Sequence, residues 1–254
     1  ISWPLVRYTL MAVRRDRIVQ LMLLLMAIGT AVSMFLGSAA TIEEQAFTVA
    51  TAGTVLRLIA VLGLVVFISF FLRRAFESRE IDYLLATPLT RHRLLFSLAV
   101  AFVLLAVMLS ALIAVVMAFL LPKLNMGLVL WSASVTVELM ITAMLTLFFA
   151  CVLRSATIAA LCSLGYYTLA RMMGMMIGII ETKVIRTDTL FVAMSMGVKA
   201  LSVVTPRFDL MAQSAWLVYG DANGLAPWVL LVQFAVFSLL FFACAAFDLR
   251  RVQF

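Results

Sequence analysis

The sequence predicts an all-α polytopic membrane protein, and three observations carry that reading. Of 254 residues, 66% are apolar and 12% charged, against roughly 45–50% and about a quarter in soluble domains. The apolar residues gather in long, nearly charge-free runs, each sufficient to cross a hydrocarbon core of about 30 Å as a helix. The basic residues concentrate in alternate connections between those runs, as the positive-inside rule requires of a multi-pass chain. A soluble fold is excluded, and residues 1–254 read as a single transmembrane domain without room for a sizeable extramembrane one.

The elements follow in order. In 1–16, Trp3, Leu5, Val6, Leu10 and Val13 alternate with Arg7, Arg14 and Arg15, the pattern of an amphipathic elbow on the inner leaflet; a plain extension of the first span is the alternative. Spans are expected over 18–40, 47–72, 94–121, 126–153, 156–180 and 225–247. Arg14, Arg15 and Arg17 ahead of an apolar run imitate a signal peptide, but that run is about twice the usual length, so an uncleaved first helix is expected. Residues 189–205 make a seventh candidate that is short, carries Lys199 and stops at Pro206. That profile fits a re-entrant or interfacial piece within an outer segment, 181–224.

Orientation follows from charge. With both termini cytoplasmic and six spans, the inner side holds Arg7, Arg14, Arg15, Arg17, Arg73, Arg74, Arg79, Arg91, Arg93, Arg154, Arg250 and Arg251, while the outer side holds Lys123, Lys183, Arg186, Lys199 and Arg207. A seventh span would carry Arg250 and Arg251 outside, against the rule. The net charge of +7 is therefore a topology signal, and no nucleic-acid partner is expected.

Little catalytic chemistry can be assembled. The one histidine, His92, stands between Arg91 and Arg93, and Cys151, Cys162 and Cys244 have no metal-ligand spacing. No phosphate-cradling G-x-x-x-x-G-K-[ST] loop occurs. Neither a metal nor a cofactor is expected on this chain, which does not read as an enzyme. The 16 methionines, among them Met172, Met173, Met175, Met176, Met194 and Met196, offer soft ligands for Cu(I), but they alternate faces and read better as packing residues.

Between the second and third spans runs a charge-dense stretch in which Ile81, Leu84, Leu85 and Pro88 share one helical face while Glu77, Arg79, Glu80 and Asp82 lie around the rest. A short amphipathic helix over 77–87 is predicted there, suited to docking in a groove of a cytoplasmic partner; a solvated hairpin that only sets topology is the other reading. Glu77, Ile81, Asp82, Leu84, Leu85, Thr87, Pro88 and Arg91 stand where the coupling helix of one family carries Glu, then Gly-Thr-Leu-Glu, Leu-Leu, a small residue, Thr-Pro and Arg. The chain thus resembles the membrane (permease) subunits of the ABC type-2 exporter family, including those beside multicopper-enzyme maturation systems. Arg79-Glu80 replaces the family's Gly-Thr.

The resemblance implies a permease in a bacterial inner membrane. It would form the substrate pathway as a dimer, with a second copy or a sister permease, on two nucleotide-binding ATPase subunits that carry the ATP and Mg. It also implies a dimer seam along the first and fifth spans, where Gly29, Ser33, Gly37, Gly174 and Gly178 have close-packing spacing. A haem-exporter-like cytochrome-maturation subunit and an ATP-independent secondary carrier are the rival functions.

Three charges fall inside predicted spans: Arg57, Glu138 and Arg171. At about 1.5 Å per residue they lie roughly 15, 18 and 14 Å below the outer helix ends. A lone charge near the bilayer centre costs at least about 2.5–3.5 kcal/mol, so Glu138 is expected to face one or both arginines; arginines snorkelling separately are the alternative.

Overall fold

A computed structural model describes residues 3–40, 43–77, 91–121, 125–182, 189–220 and 227–251. Among these every regular element is helical: α1 (Trp3–Arg15), α2 (Arg17–Ser38), α3 (Glu44–Glu77), α4 (Arg91–Leu120), α5 (Met126–Val152), α6 (Ala156–Thr182), α7 (Thr189–Val204), a 3-10 turn (Phe208–Leu210), α8 (Ser214–Tyr219) and α9 (Pro227–Arg251). Five helices, α2, α3, α4, α5 and α9, are long and apolar enough to cross a membrane. The predicted span at 156–180 forms as α6, with 27 residues. Arg171, Tyr166 and Tyr167 dilute its apolar character, and it is not one of those five.

The first break in the chain is chemically explicit. α1 ends on Arg14 and Arg15, cations that complement the partial negative charge of a helix C-terminus. Asp16 adopts an extended backbone, and its Oδ1 accepts from Ile18 N at 2.9 Å, capping the next helix as aspartate does well. Its Oδ2 takes Arg74 Nη2 of α3 at 2.8 Å, tying the corner to the third helix. α1 buries Leu5, Val6, Thr9 and Val13 and packs on α4, leaving Trp3, Tyr8 and Met11 exposed.

α5 is the centre of the bundle. It packs against α3, α4, α6, α8 and α9, and it carries Trp131, Val135, Leu139 and Ile141 in the core. Around it, Phe67 and Phe102 are fully buried, with Phe71 stacked on Phe67 and edge-on to Phe102. The periphery is open: α2 exposes Leu21, Leu24, Ile28 and Phe35, and α9 exposes Trp228, Leu231 and Leu239. An apolar surface of this kind suits a hydrocarbon solvent.

Hydroxyl groups along the helices are mostly satisfied within their own helix. Thr30, Ser33, Thr54, Thr142, Thr146 and Ser163 each donate to the carbonyl four residues back. This is how an isolated Ser or Thr is accommodated where water is absent. Thr136 also reaches across to Ser110 Oγ at 2.9 Å, joining α5 to α4.

α3 and α4 are the longest helices, with 34 and 30 residues. At about 1.5 Å per residue they run about 51 and 45 Å, well past a hydrocarbon core of about 30 Å. Of the predicted coupling segment, Glu77 closes α3 and is bonded by Arg73 Nε at 2.7 Å. Arg79, Glu80, Ile81, Asp82, Leu84, Leu85 and Pro88 lie outside the described residues.

Candidate intramembrane site

The site is built by three long helices and one irregular segment. α5 contributes Ser134 and Glu138, and α6 contributes Tyr167 and Arg171; each pair is four residues apart and so lies on one helical face. α3 contributes Arg57. After α7 the chain turns at Thr205 and Pro206, passes through the 3-10 turn, and returns as α8. Along this path it buries Phe208, Met211, Ala212, Trp216 and Leu217.

Buried irregular backbone leaves carbonyls without intrahelical partners, and such groups must be satisfied by protein. Arg57 and Arg171 do this. Arg171 Nη1 donates to Met211 O at 2.8 Å and to Phe208 O, and Arg57 Nη1 donates to Ala212 O at 3.0 Å. The amide of Ala212 donates to Ser134 Oγ at 2.9 Å, and that hydroxyl in turn donates to Trp131 O at 2.7 Å. Both backbone groups of Ala212 are thereby fixed, holding it at φ 49°, a left-handed conformation uncommon for a residue with a Cβ.

Glu138 lies beneath this segment with no exposed surface. Its Oε1 accepts from Tyr167 OH at 2.6 Å. Its Oε2 is 3.9 Å from Arg171 Nη1, close enough for an ion pair, yet without a hydrogen bond of its own. The Tyr167 ring also lies against Phe208, with centroids 5.5 Å apart. One carboxylate therefore faces one guanidinium directly, while Arg57 is directed to a backbone carbonyl. Counting depth puts all three charges on one level. It does not reveal that the carbonyls of Phe208, Met211 and Ala212 accept from both guanidiniums.

The irregular segment is packed as well as bonded. Arg207 pairs with Asp209 at 2.9 Å, and Asp209 sits against Gly174 of α6, where an added Cβ would come within 2.6 Å of Asp209 Oδ2. Only glycine admits that approach. At the far end Gly220 takes φ 72° and closes α8, the usual residue for a left-handed helix end.

The small residues expected at a dimer seam have other neighbours. Gly29, Ser33 and Gly37 are buried. A Cβ on Gly29 would meet Val55 and Ile59 at 2.8 and 3.2 Å, and one on Gly37 would collide with Thr48. The close approach that Gly29 and Gly37 permit is thus made between α2 and α3 of one chain. Gly174 is occupied by Asp209, whereas nothing stands within 4 Å of a Cβ on Gly178.

Ser134 and Tyr167 escape an inspection limited to charges, although each sits one helical turn before a charged residue on the same face. Among the described residues no three His, Cys, Asp or Glu side chains come together as a metal site would require. No protein-family model matches the chain, and no curated protein matches it.

Proposed function

We propose that this chain is the membrane-spanning subunit of an ATP-driven exporter, driven by separate cytoplasmic ATPase subunits. The observation that carries the reading is the length of α3 and α4: both overrun the hydrocarbon core by more than 10 Å on the dimensions above. They flank the one connection whose sequence resembles a coupling helix. Long helices on either side of such a connection suit a transporter that takes its stroke from a soluble motor.

In this reading α6 is the sixth span, drawn into the bundle by its charge pairing rather than by apolarity, and α1 lies along the inner leaflet with both termini cytoplasmic. The partner permease packs elsewhere than on Gly29, Ser33 and Gly37, which are already covered. The sequence has no phosphate-cradling G-x-x-x-x-G-K-[ST] loop, and in this reading ATP and Mg belong to the ATPases. An α-helical pathway lined by Leu, Val, Met and Phe suits an apolar or amphipathic cargo.

A secondary carrier is favoured by one observation, the buried Glu138–Arg171 pair beside a broken helical segment, since carriers place ion sites at such breaks. Coexpression with candidate P-loop ATPases separates the two. The exporter reading expects an ATPase to copurify, with turnover lost in Leu84→Asp. Transport that persists without any ATPase, driven by an ion gradient and abolished by Glu138→Gln, establishes the carrier instead.

A further inference from the structure

A cleft of about 300 Å³ opens between α1 and the end of α3, lined by Tyr8, Arg15, Asp16, Phe71 and Arg74 among others. Tyr8 and Arg15 are two helical turns apart on one face of α1, and Phe71 and Arg74 are one turn apart on α3. The cleft is therefore lined by two aromatic rings and two guanidiniums, contributed jointly by two elements that Asp16 holds together.

Its charge is unbalanced. Asp16 keeps 8% of its side chain exposed, and both of its oxygens are engaged, one by the Ile18 amide and one by Arg74. Arg74 remains 64% exposed and has further donors in its guanidinium fork. Arg15 is exposed on the same rim, and Arg14 and Arg17 are exposed beside it. Among the described lining residues a cation finds only the Asp16 carboxylate, both of whose oxygens are already bonded. An anion meets two guanidiniums, whose planar donor forks suit phosphate. Tyr8 and Phe71 contribute only to a ligand that is apolar behind its anionic group.

We propose that the α1–α3 cleft binds the phosphodiester headgroup of an anionic glycerophospholipid, with Arg15 and Arg74 on the phosphate and Tyr8 and Phe71 against the glycerol and first acyl carbons. The site ties the amphipathic first helix to the third through a lipid as well as through Asp16. It rests on α1 lying at the membrane interface and not on the transport reading.

The test uses the full chain purified in detergent, without any ATPase, with binding read by native mass spectrometry. The probes are phosphatidylglycerol, phosphatidylcholine and glycerol 1-phosphate. Phosphatidylglycerol is expected to bind at least about fivefold tighter than phosphatidylcholine, and Arg15→Gln and Arg74→Gln each to weaken it about fivefold, one interfacial arginine's worth. Arg7→Gln, outside the cleft, should leave it unchanged, and glycerol 1-phosphate should bind at least about tenfold more weakly. Equal affinity for the two lipids overturns the proposal, as does an Arg7→Gln loss equal to that of Arg15→Gln, which means diffuse surface charge. Glycerol 1-phosphate binding as tightly as the lipid makes this a free-phosphate site and overturns it too. Should Arg74→Gln fail to fold, Arg15→Gln decides alone, since that exposed side chain adds only a charge at the end of α1, where Arg14 remains; Arg15→Lys should recover part of the affinity. Loss of lipid selectivity leaves the transport reading intact, and failure of ATPase copurification leaves the lipid result intact.

Discussion

Tyr167 and Glu138 share a 2.6 Å phenol-to-carboxylate hydrogen bond across the α5–α6 interface, and this bond decides what Arg171 can do. With Oε1 taken, only Oε2 faces the guanidinium, at 3.9 Å, and the arginine's closer bonds go to the backbone of 208–211. Arg171 is therefore shared between a buried charge and an irregular segment. Its own side chain keeps 25% exposure, and the carboxylate below it is sealed.

Removing the carboxylate outright should be costly. Breaking a buried pair from one side typically costs about 3–5 kcal/mol because the surviving charge is left uncompensated. Glu138→Ala should lower the thermal midpoint of the detergent-solubilised protein strongly. Glu138→Gln, which still accepts from Tyr167, should lose less. Equal midpoints for wild type and Glu138→Ala, read by size-exclusion after heating, would refute the arrangement.

The arginines should also control access to the irregular segment. Hydrogen bonds to charged groups contribute roughly 1.5–3 kcal/mol each, so Arg171→Gln should raise the open population of 205–213 by about tenfold or more. A cysteine at Leu210, in a chain with Cys151, Cys162 and Cys244 replaced, reports this by its maleimide labelling rate. No acceleration over the same cysteine with Arg171 present argues that packing alone holds the segment.

Gly174 and Gly178 form a matched pair one turn apart on α6. Gly174→Ala drives a methyl into Asp209 and should destabilise by about 1–3 kcal/mol, the range for overpacking. Gly178→Ala meets open space and should leave monomer stability within about 0.5 kcal/mol. If Gly178→Ala instead abolishes a dimer while the monomer stays folded, the seam between copies passes through that residue.

Ala212→Gly offers a substitution expected to help. A non-glycine residue in the left-handed region carries a penalty of about 1–2 kcal/mol, and Ala212 sits there with both backbone groups bonded. Glycine relieves it at the cost of one small buried methyl, so stability should be unchanged or raised, whereas Ala212→Val should lower it. A marked loss in Ala212→Gly would mean that the methyl matters more than the backbone.

Topology can be read directly. A cysteine at Ser78 should resist membrane-impermeant reagent in intact cells, and one at Asn223 should react. The reverse pattern inverts the orientation drawn from the arginines.

Apolar run length was enough to expect α2, α3, α4, α5 and α9, because the bilayer's thickness sets a minimum that few other contexts demand. It underestimated α3, whose last turns are polar and continue past the core to Glu77. Helical rise alone put Glu138 and Arg171 at one depth. The carbonyls of Phe208, Met211 and Ala212 were illegible, since a backbone acceptor has no letter in the sequence and becomes available only when the helix stops. The spacing of Gly29, Ser33 and Gly37 announced a close approach but could not name the neighbour. The motif is the same whether α3 or a second chain fills it.

The hydroxyls folded back onto their own helices bear on motion. Where Thr30, Ser33, Thr54 and Ser163 spend their protons locally, those residues do not lock their helix in register with the next. Sliding at such points disturbs dispersion contacts, which re-form after a small displacement, rather than directional bonds, which break at once. Along the seam between α2 and α3 these hydroxyls therefore add no directional bond beyond the Asp16–Arg74 pair, whereas the corner held by Arg57 and Arg171 is fixed by bonds of that kind. A displacement along α3 would be taken up as shear before it strained that corner.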